Sequence, residues 1–288
     1  MRPNETITVR QPQWLKTNPF KNTRQTKQLL RGFRLNTVCE EARCPNRGHC
    51  FSKPTATFMI LGSSCTRTCG FCSVNHQHPQ LPDGTEPERV AQAALALGLR
   101  HVVITSVTRD DLYDGGAGHF ARTVTAVRAC LPGATIEVLT PDFKGDTEAL
   151  KTVLDAAPDV FNHNVETVPS LYPVVRPQAQ YQRSLRVLKA AKELHPQIKT
   201  KSGLMLGLGE GVDECLDVLK DLASTGCNFL TIGQYLQPGK DNLPVVQYVH
   251  PDVFERLKDA AMTMGFEFVA SGPLVRSSYN AEEMIDGP

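Results

Sequence analysis

Strand-like and helix-like segments alternate six times from residue 55 onward, and this alternation limits the fold more than any other feature of the chain. The strand-like segments are 55–61, 101–107, 135–141, 159–167, 198–210 and 229–239. The helix-like segments that follow them are 86–99, 119–131, 147–157, 181–195, 212–226 and 251–266. Such alternation predicts a parallel sheet with right-handed crossovers. It fits either a doubly wound sheet or an incomplete barrel, and both bind ligands at the carboxyl ends of their strands.

The composition is that of a globular protein without a polyanionic or membrane partner. The 288 residues suffice for one domain of α/β-barrel size, and 41% are hydrophobic, so wholesale disorder is excluded. A net charge of +1 gives no electrostatic reason to expect nucleic acid or a membrane surface. The N-terminus lacks an apolar signal core, and Pro and Trp interrupt any amphipathic transit helix. We therefore expect a cytoplasmic protein.

The first of two cysteine triplets directly follows the first strand. Cys65, Cys69 and Cys72 stand in CTRTCGFC with the spacing C-x3-C-x2-C. Both a structural zinc site and an ordinary four-iron cluster take four protein ligands, so this triplet is one ligand short. An open coordination position distinguishes a reactive metal site from a structural one. The alternative is a zinc site completed by a histidine of the HQH stretch that follows.

The second triplet lies upstream, in CEEARCPNRGHC. Cys39, Cys44 and Cys50 have the spacing C-x4-C-x5-C and are also one ligand short. Taken alone, this triplet fits a zinc site completed by His49 as well as an iron–sulfur site. Beside the first triplet, it indicates a second iron–sulfur cluster.

The first triplet, with Phe71 before its last cysteine, resembles the radical S-adenosylmethionine (SAM) superfamily. The resemblance implies a 4Fe–4S cluster on Cys65, Cys69 and Cys72 whose fourth iron binds the methionine moiety of SAM. It also implies that electron transfer to SAM yields a 5′-deoxyadenosyl radical. It favours the barrel, and we predict a partial (β/α)6 TIM-like barrel at 55–271, with extensions at 1–54 and 272–288.

The run TVCEEARCPN, followed by the radical motif, closely resembles the lipoyl synthase family. The resemblance implies that Cys39, Cys44 and Cys50 bind an auxiliary 4Fe–4S cluster, whose fourth ligand is a serine of a C-terminal R-S-S-Y motif. That motif stands here at 276–279. The role carries over to Ser278, which precedes the tyrosine, with Ser277 as the fallback.

Further residues are expected at SAM. In NHNVE, the polar residues at positions 162, 164 and 166 lie on one face of the predicted strand, where they could face SAM. The alternative is that they form a solvated strand end. GLMLGLGE resembles a glycine-rich strand of the superfamily, and TRDDLYDGGAGHF resembles a family loop that commonly has Pro where Tyr113 stands. The SAM contacts implied by these resemblances are Asn164, Glu166, Gly115, Gly116, Met205 and Gly207.

The family resemblance also implies the reaction and its partners. Sulfur is inserted at carbons 6 and 8 of a protein-bound octanoyl-lysine, with two SAM consumed and the auxiliary cluster sacrificed. The implied partners are octanoylated lipoyl carrier domains, namely the glycine cleavage H protein and the acyltransferase subunits of 2-oxoacid dehydrogenases. A ferredoxin or flavodoxin reductant and an iron–sulfur carrier complete the set. The basic segment 24–34 either steers an acidic carrier domain or is a solvated face.

Three rival interpretations follow from the same motifs. Another radical SAM sulfur-inserting enzyme shares the first triplet but is expected to lack the second triplet and the R-S-S-Y motif. A two-cluster electron carrier needs two fully ligated clusters and has no use for a barrel of this size. A zinc-binding scaffold is the third rival, and metal analysis separates it from the others.

Overall fold

The computed structural model describes residues 10–16, 23–53, 55–278 and 281, and its centre is one eight-stranded sheet. The strands lie in the sheet in the order in which they occur along the chain. They are β1 (Asn36–Thr37), β2 (Thr57–Ile60), β3 (His101–Ser106), β4 (Thr135–Leu139), β5 (Val160–Asn162), β6 (Lys199–Leu206), β7 (Phe229–Gln234) and β8 (Phe268–Gly272).

Ten α-helices lie within the described residues, together with 3-10 helices at Gln13–Leu15, Phe143–Gly145 and Pro169–Leu171. Six of the α-helices connect the parallel strands: α4 (Glu86–Leu97), α5 (Ala117–Cys130), α6 (Thr147–Asp155), α8 (Tyr181–Leu194), α9 (Val212–Ser224) and α10 (Pro251–Thr263). The others are α1 (Arg24–Gly32), α2 (Val38–Glu41), α3 (Arg47–Ser52) and α7 (Tyr172–Val175). No described helix combines the length and the apolar character that a membrane span requires.

The sheet has the topology predicted for a partial barrel. Each of β2 to β7 pairs in parallel with the next strand, and β1 pairs antiparallel with β2. Within the described ranges no pairing joins β8 back to β1 or β2, so the barrel is open along one side. The six predicted strand–helix units are confirmed, and β8 is a seventh parallel strand that the sequence pattern did not indicate.

The two chain extensions are fastened to the barrel by polar contacts. The Asn46 side-chain amide donates to the backbone carbonyl of Leu274 at 2.7 Å, which joins the N-terminal extension to the C-terminal tail. The Ser73 hydroxyl donates to the carbonyl of Glu41 at 2.6 Å, which joins that extension to the loop after β2. These contacts hold the N-terminal extension against the C-terminal tail and against the loop after β2. The predicted boundaries at 54 and 271 stay a prediction.

Candidate iron–sulfur and cofactor site

The first triplet lies in the loop between β2 and α4, which we call the cysteine loop (residues 61–75). The chain leaves β2 through Leu61 and Gly62, whose φ angles of 67° and 87° turn it sharply. The Cys65 Sγ then accepts the backbone N–H groups of Arg67 at 3.4 Å and Thr108 at 3.3 Å. Hydrogen bonds of this kind to a cluster-ligating sulfur are among the features that tune an iron–sulfur cluster.

Arg67, within the cysteine loop, is a site residue that the sequence analysis missed. Its guanidinium is buried and contacts Asp110 at 2.7 Å and Asp142 at 2.6 Å. Arg183 also reaches Asp142, at 3.3 Å. Burial alone would raise the pKa of Asp142, but the Arg67 guanidinium holds it down to about 2. The loop is thereby tied to the carboxyl ends of β3 and β4. The sequence feature that could have identified Arg67 is a charged residue between two predicted cluster ligands.

The second triplet is carried by two short helices of the N-terminal extension. Cys39 lies in α2 and is buried, Cys50 lies in α3, and Cys44 connects them. Burial, together with the nearby Cys44 and Cys50 thiols, raises the pKa of Cys39 to about 12. Burial and Cys44 likewise raise the pKa of Cys50 to about 11. The three thiols are therefore close enough to repel one another as thiolates.

Ser277 and Ser278 make different contacts. The Thr57 hydroxyl donates to the Ser278 Oγ at 2.7 Å, and Thr57 also hydrogen bonds with Cys39. The Asn164 amide donates to the Ser277 Oγ at 2.7 Å. Ser278 is thus connected to the second triplet, and Ser277 to the strand end expected at SAM. Tyr279, the last residue of the predicted motif, lies outside the described residues.

A cavity of about 270 Å³ joins most of these groups, and we call it the central cavity. Of the predicted site residues, its wall includes Cys39, Cys44, Cys50, Cys72, Asn164, Glu166, Met205, Ser277 and Ser278. Cys65, Cys69, Gly115, Gly116 and Gly207 are not part of its wall. One cavity therefore connects the second triplet, the last cysteine of the first triplet and the strand end of β5.

Asn164 and Glu166 present polar atoms to the central cavity. The Asn164 Nδ2 donates to the Glu166 Oε1 at 3.1 Å, while the Asn164 Oδ1 is buried without a hydrogen-bond partner among the described residues. Burial raises the pKa of Glu166, and the nearby Arg176 opposes that rise. Glu166 has a φ of 67°, which is unusual for a residue other than glycine. Unpartnered buried polar atoms and strained backbone are features of ligand-binding sites.

The three glycines expected at SAM are explained locally by backbone geometry. Gly115 and Gly116 have φ angles of 61° and 91° and form the turn into α5. A Cβ on Gly115 would lie 3.0 Å from Phe143, and one on Gly116 would collide with Leu61. Gly207, with φ of 102°, packs its Cα against Gln234 in the same way. Their contact with SAM stays a prediction.

The donor atoms fit iron–sulfur clusters better than single metal ions. All six triplet cysteines are free thiols. Among the described residues, no three His, Cys, Asp or Glu side chains converge as they would around one ion. A structural zinc ion needs such convergence, whereas each thiolate of a four-iron cluster binds its own iron.

Other polar residues noted in the sequence have structural partners. The His163 Nδ1–H donates to the Thr140 carbonyl at 2.9 Å, and the Nε2 on the other side of the ring hydrogen bonds with the Ser184 hydroxyl at 2.9 Å. Burial lowers the pKa of His163 to about 4, and its prediction as a packing and hydrogen-bonding residue is confirmed. Asp111, beside Asp110, forms an ion pair with Arg109 at 2.8 Å.

Comparison with known proteins agrees with this arrangement. Residues 59–222 match the Radical SAM superfamily, and residues 1–44 match the N-terminal domain of lipoyl synthase of the radical SAM family. Lipoyl synthase from Alkaliphilus metalliredigens is 57% identical over 279 residues, covering 96% of this chain and 96% of the relative. Lipoyl synthase from Rubrobacter xylanophilus is 55% identical, covering 99% of this chain and 92% of the relative.

Two solved structures share the fold at low sequence identity. A methylornithine synthase has a TM-score of 0.54 at 16% identity, with 93% of this chain and 87% of that chain covered. SuiB of Streptococcus suis, solved with S-adenosylmethionine bound, has a TM-score of 0.59 at 13% identity, with 86% and 60% covered. At such identities these likenesses describe the architecture alone.

Proposed function

The chain belongs to the lipoyl synthase family of the radical SAM superfamily, and on that premise we propose how its residues divide the work of inserting sulfur at carbons 6 and 8 of a protein-bound octanoyl-lysine. Lipoyl synthases carry two 4Fe–4S clusters and use SAM. When bound, SAM and its cluster supply a carbon radical that abstracts hydrogen from unactivated C–H bonds, and the auxiliary cluster supplies sulfur.

The central cavity is the observation that carries the proposal. Cys72 of the first triplet lines the same cavity as Cys39, Cys44 and Cys50 of the second. An acyl chain in this cavity would therefore lie between the two predicted cluster sites. A shared cavity of this kind would hold the reacting groups in a productive order.

In this proposal the polar residues of the cavity wall bind SAM. The unpartnered Asn164 Oδ1 accepts a hydrogen bond from the SAM amino or hydroxyl groups, and the Glu166 carboxylate faces the same space. Gly203 supports this placement, because a Cβ there would lie 2.8 Å from both the Asn164 Oδ1 and the Thr231 hydroxyl. Glycine thus lets the Asn164 and Thr231 side chains lie close against β6.

We assign the serine ligand of the auxiliary cluster to Ser278. Its hydrogen bond to Thr57, which also contacts Cys39, directs it toward the second triplet. Ser277 instead receives the Asn164 amide, so it belongs to the SAM side of the cavity. In this proposal Arg67 acts by holding the cysteine loop against β3 and β4, so that Cys65, Cys69 and Cys72 keep their spacing.

Lipoyl synthase acts on octanoyl groups carried by proteins, so the chain also needs a surface for a carrier domain. The carrier domains that we propose are those of the glycine cleavage H protein and of the acyltransferase subunits of 2-oxoacid dehydrogenases. A ferredoxin or flavodoxin reductant, an iron–sulfur carrier and a cytoplasmic location complete the proposal. Arg24, Arg31 and Arg34 of the basic segment are exposed, which leaves them accessible to an acidic carrier.

A single-turnover assay without oxygen tests this function. Reconstituted protein receives SAM, a strong reductant and an octanoyl-lysine peptide, and the peptide is followed by mass spectrometry. We expect a gain of two sulfur atoms with release of 5′-deoxyadenosine. Release of 5′-deoxyadenosine with an unmodified peptide would support the radical site but refute octanoyl-lysine as the substrate. Another radical SAM sulfur-inserting enzyme would give this result. Absence of both would refute the proposal as a whole.

A further inference from the structure

A second cavity of about 370 Å³ lies against the opposite side of the second triplet. Its volume falls in the range of ligand sites, roughly 300–1,000 Å³. It opens beside the end of α4 and the start of β3, and its wall includes residues 97–101. This places it at the amino end of the strands, away from the carboxyl ends where the cysteine loop lies.

The two cavities are separated by a wall that carries predicted cluster ligands. Five residues line both spaces: Cys50, Thr55, Ala56, Thr57 and Ser278. Cys50 and Ser278 therefore border the second cavity as well as the central cavity, whereas Cys39 and Cys44 line the central cavity alone. No function described above uses this second approach.

The second cavity is lined by basic groups. His49, Lys53, Arg100 and His101 contribute to its wall, and the described lining residues include no Asp or Glu. Lys53 is close enough to Cys50 for its ammonium to act on that thiol electrostatically. Among the described lining residues the charged side chains of Lys53 and Arg100 are both positive, so the potential near them favours anions.

His101 provides independent support for a ligand in this space. Its side chain is only 7% exposed, and its Nε2 lies 3.4 Å from the Glu137 carboxylate. Its Nδ1 is buried without a hydrogen-bond partner among the described residues. An unpaired buried ring nitrogen costs free energy unless a ligand or water satisfies it.

We propose that the second cavity is the entrance through which an anionic, thiolate-ligated iron–sulfur cluster reaches Cys50 and Ser278. The inference rests on the proposed function, because a cluster that gives up its sulfur has to be replaced. Entry from this side separates replacement of the cluster from binding of SAM and the acyl chain.

The transfer is a ligand exchange that requires no oxidant or reductant. At each cysteine one iron–thiolate bond of the incoming cluster breaks and one iron–Sγ bond forms. The proton of the cysteine thiol leaves with the departing thiol. At Ser278 the hydroxyl proton leaves with a departing thiol in the same way, so charge and atoms balance.

The test follows cluster uptake into full-length protein whose auxiliary site has been emptied by one turnover. The probe is a four-iron cluster dianion capped by small thiolates, and uptake is read from bound iron and visible absorption. The variant Lys53→Glu/Arg100→Glu reverses the charge of the entrance. The control Arg186→Glu/Lys189→Glu makes the same charge change on the exposed face of α8. Leu97→Trp narrows the cavity without changing its charge.

We expect charge reversal to slow uptake of the dianion about tenfold at low salt, with recovery at high salt where the charges are screened. Leu97→Trp slows uptake at every salt concentration, and the α8 control behaves like the unmodified protein. Equal uptake by all variants would overturn the proposal and favour entry through the central cavity. Equal slowing with free Fe²⁺ and sulfide would also overturn it, because that pattern indicates damage to the site.

The first turnover keeps the two proposals distinguishable. It uses the cluster already bound, so Leu97→Trp should insert sulfur in that turnover as the unmodified protein does. Failure of the unmodified protein to insert sulfur refutes the proposed function. Normal insertion with unaltered uptake refutes only the entrance.

Discussion

Substitution of Asp142 by Asn should loosen the cysteine loop, because Asp142 is the fully buried carboxylate that receives Arg67. The pKa of Asp142 falls from its ordinary 3.8 to about 2, although burial alone would raise it. At 1.36 kcal/mol per unit, its environment favours the ionised form by roughly 2 to 3 kcal/mol. Asn keeps the shape but not the charge, so Arg67 retains only Asp110 as an ionised partner.

The pH dependence of this stabilisation has a definite sign. Because the folded-state pKa is lowered, the contribution is fully present above about pH 4 and is lost as the pH falls toward 2. Asp142→Asn should therefore cost roughly 2 to 3 kcal/mol of unfolding free energy at neutral pH, and progressively less below pH 4.

Urea unfolding without oxygen measures that cost, and iron retained per protein measures the effect on the cysteine loop. We expect Asp142→Asn to lose iron from the first triplet while the second triplet keeps its cluster. Asp83→Asn is the matched control, since Asp83 also pairs with an arginine, at 2.7 Å, but on the surface. Exposed pairs contribute little, so the control should remain near the unmodified protein. Equal effects of the two substitutions would refute the role given to Asp142.

Three further substitutions test other parts of the account. Thr57→Val removes the donor to Ser278 and should lower retention of the auxiliary cluster several-fold, measured as bound iron and by electron paramagnetic resonance, whereas Thr57→Ser should retain it. Asn164→Ala should weaken SAM binding about tenfold in equilibrium dialysis without loss of iron, at the 1 to 3 kcal/mol of a lost buried hydrogen bond. Lys201→Met removes the cation that contacts the buried Glu137 carboxylate at 3.0 Å, and should cost about 3–5 kcal/mol in urea unfolding. That cost should shrink as the pH falls, because the pKa of Glu137 rises without Lys201 and protonation then removes the buried charge. Unchanged stability would contradict the pairing.

The sequence predicted those parts of the fold and site that depend on local patterns. The alternation of apolar segments was sufficient for the six strand–helix units, and cysteine spacing was sufficient for the two triplets. β8 was missed because Phe268–Gly272 ends in the small residues Ala270, Ser271 and Gly272. It is defined as a strand mainly by its parallel pairing with β7, which the local sequence does not indicate.

The remaining site contacts join residues far apart in the chain, so no local pattern indicated them. Arg67 meets Asp110 and Asp142 across 43 and 75 residues. Thr57 meets Ser278 across 221 residues. The glycine-rich stretches are a different case, because their predicted contacts with SAM stay predictions. They predicted ligand contacts, whereas the φ of Gly116 and its packing against Leu61 already require glycine there.

The most direct test of the central claim labels the auxiliary cluster with heavy-isotope sulfide and follows the label into the product. The labelled protein performs a single turnover with SAM, reductant and an octanoyl-lysine peptide in the absence of free sulfide. The account predicts a peptide that carries two heavy sulfur atoms, with none transferred when Cys39 is replaced by Ala. Insertion of unlabelled sulfur, or labelled insertion that survives Cys39→Ala, would contradict it.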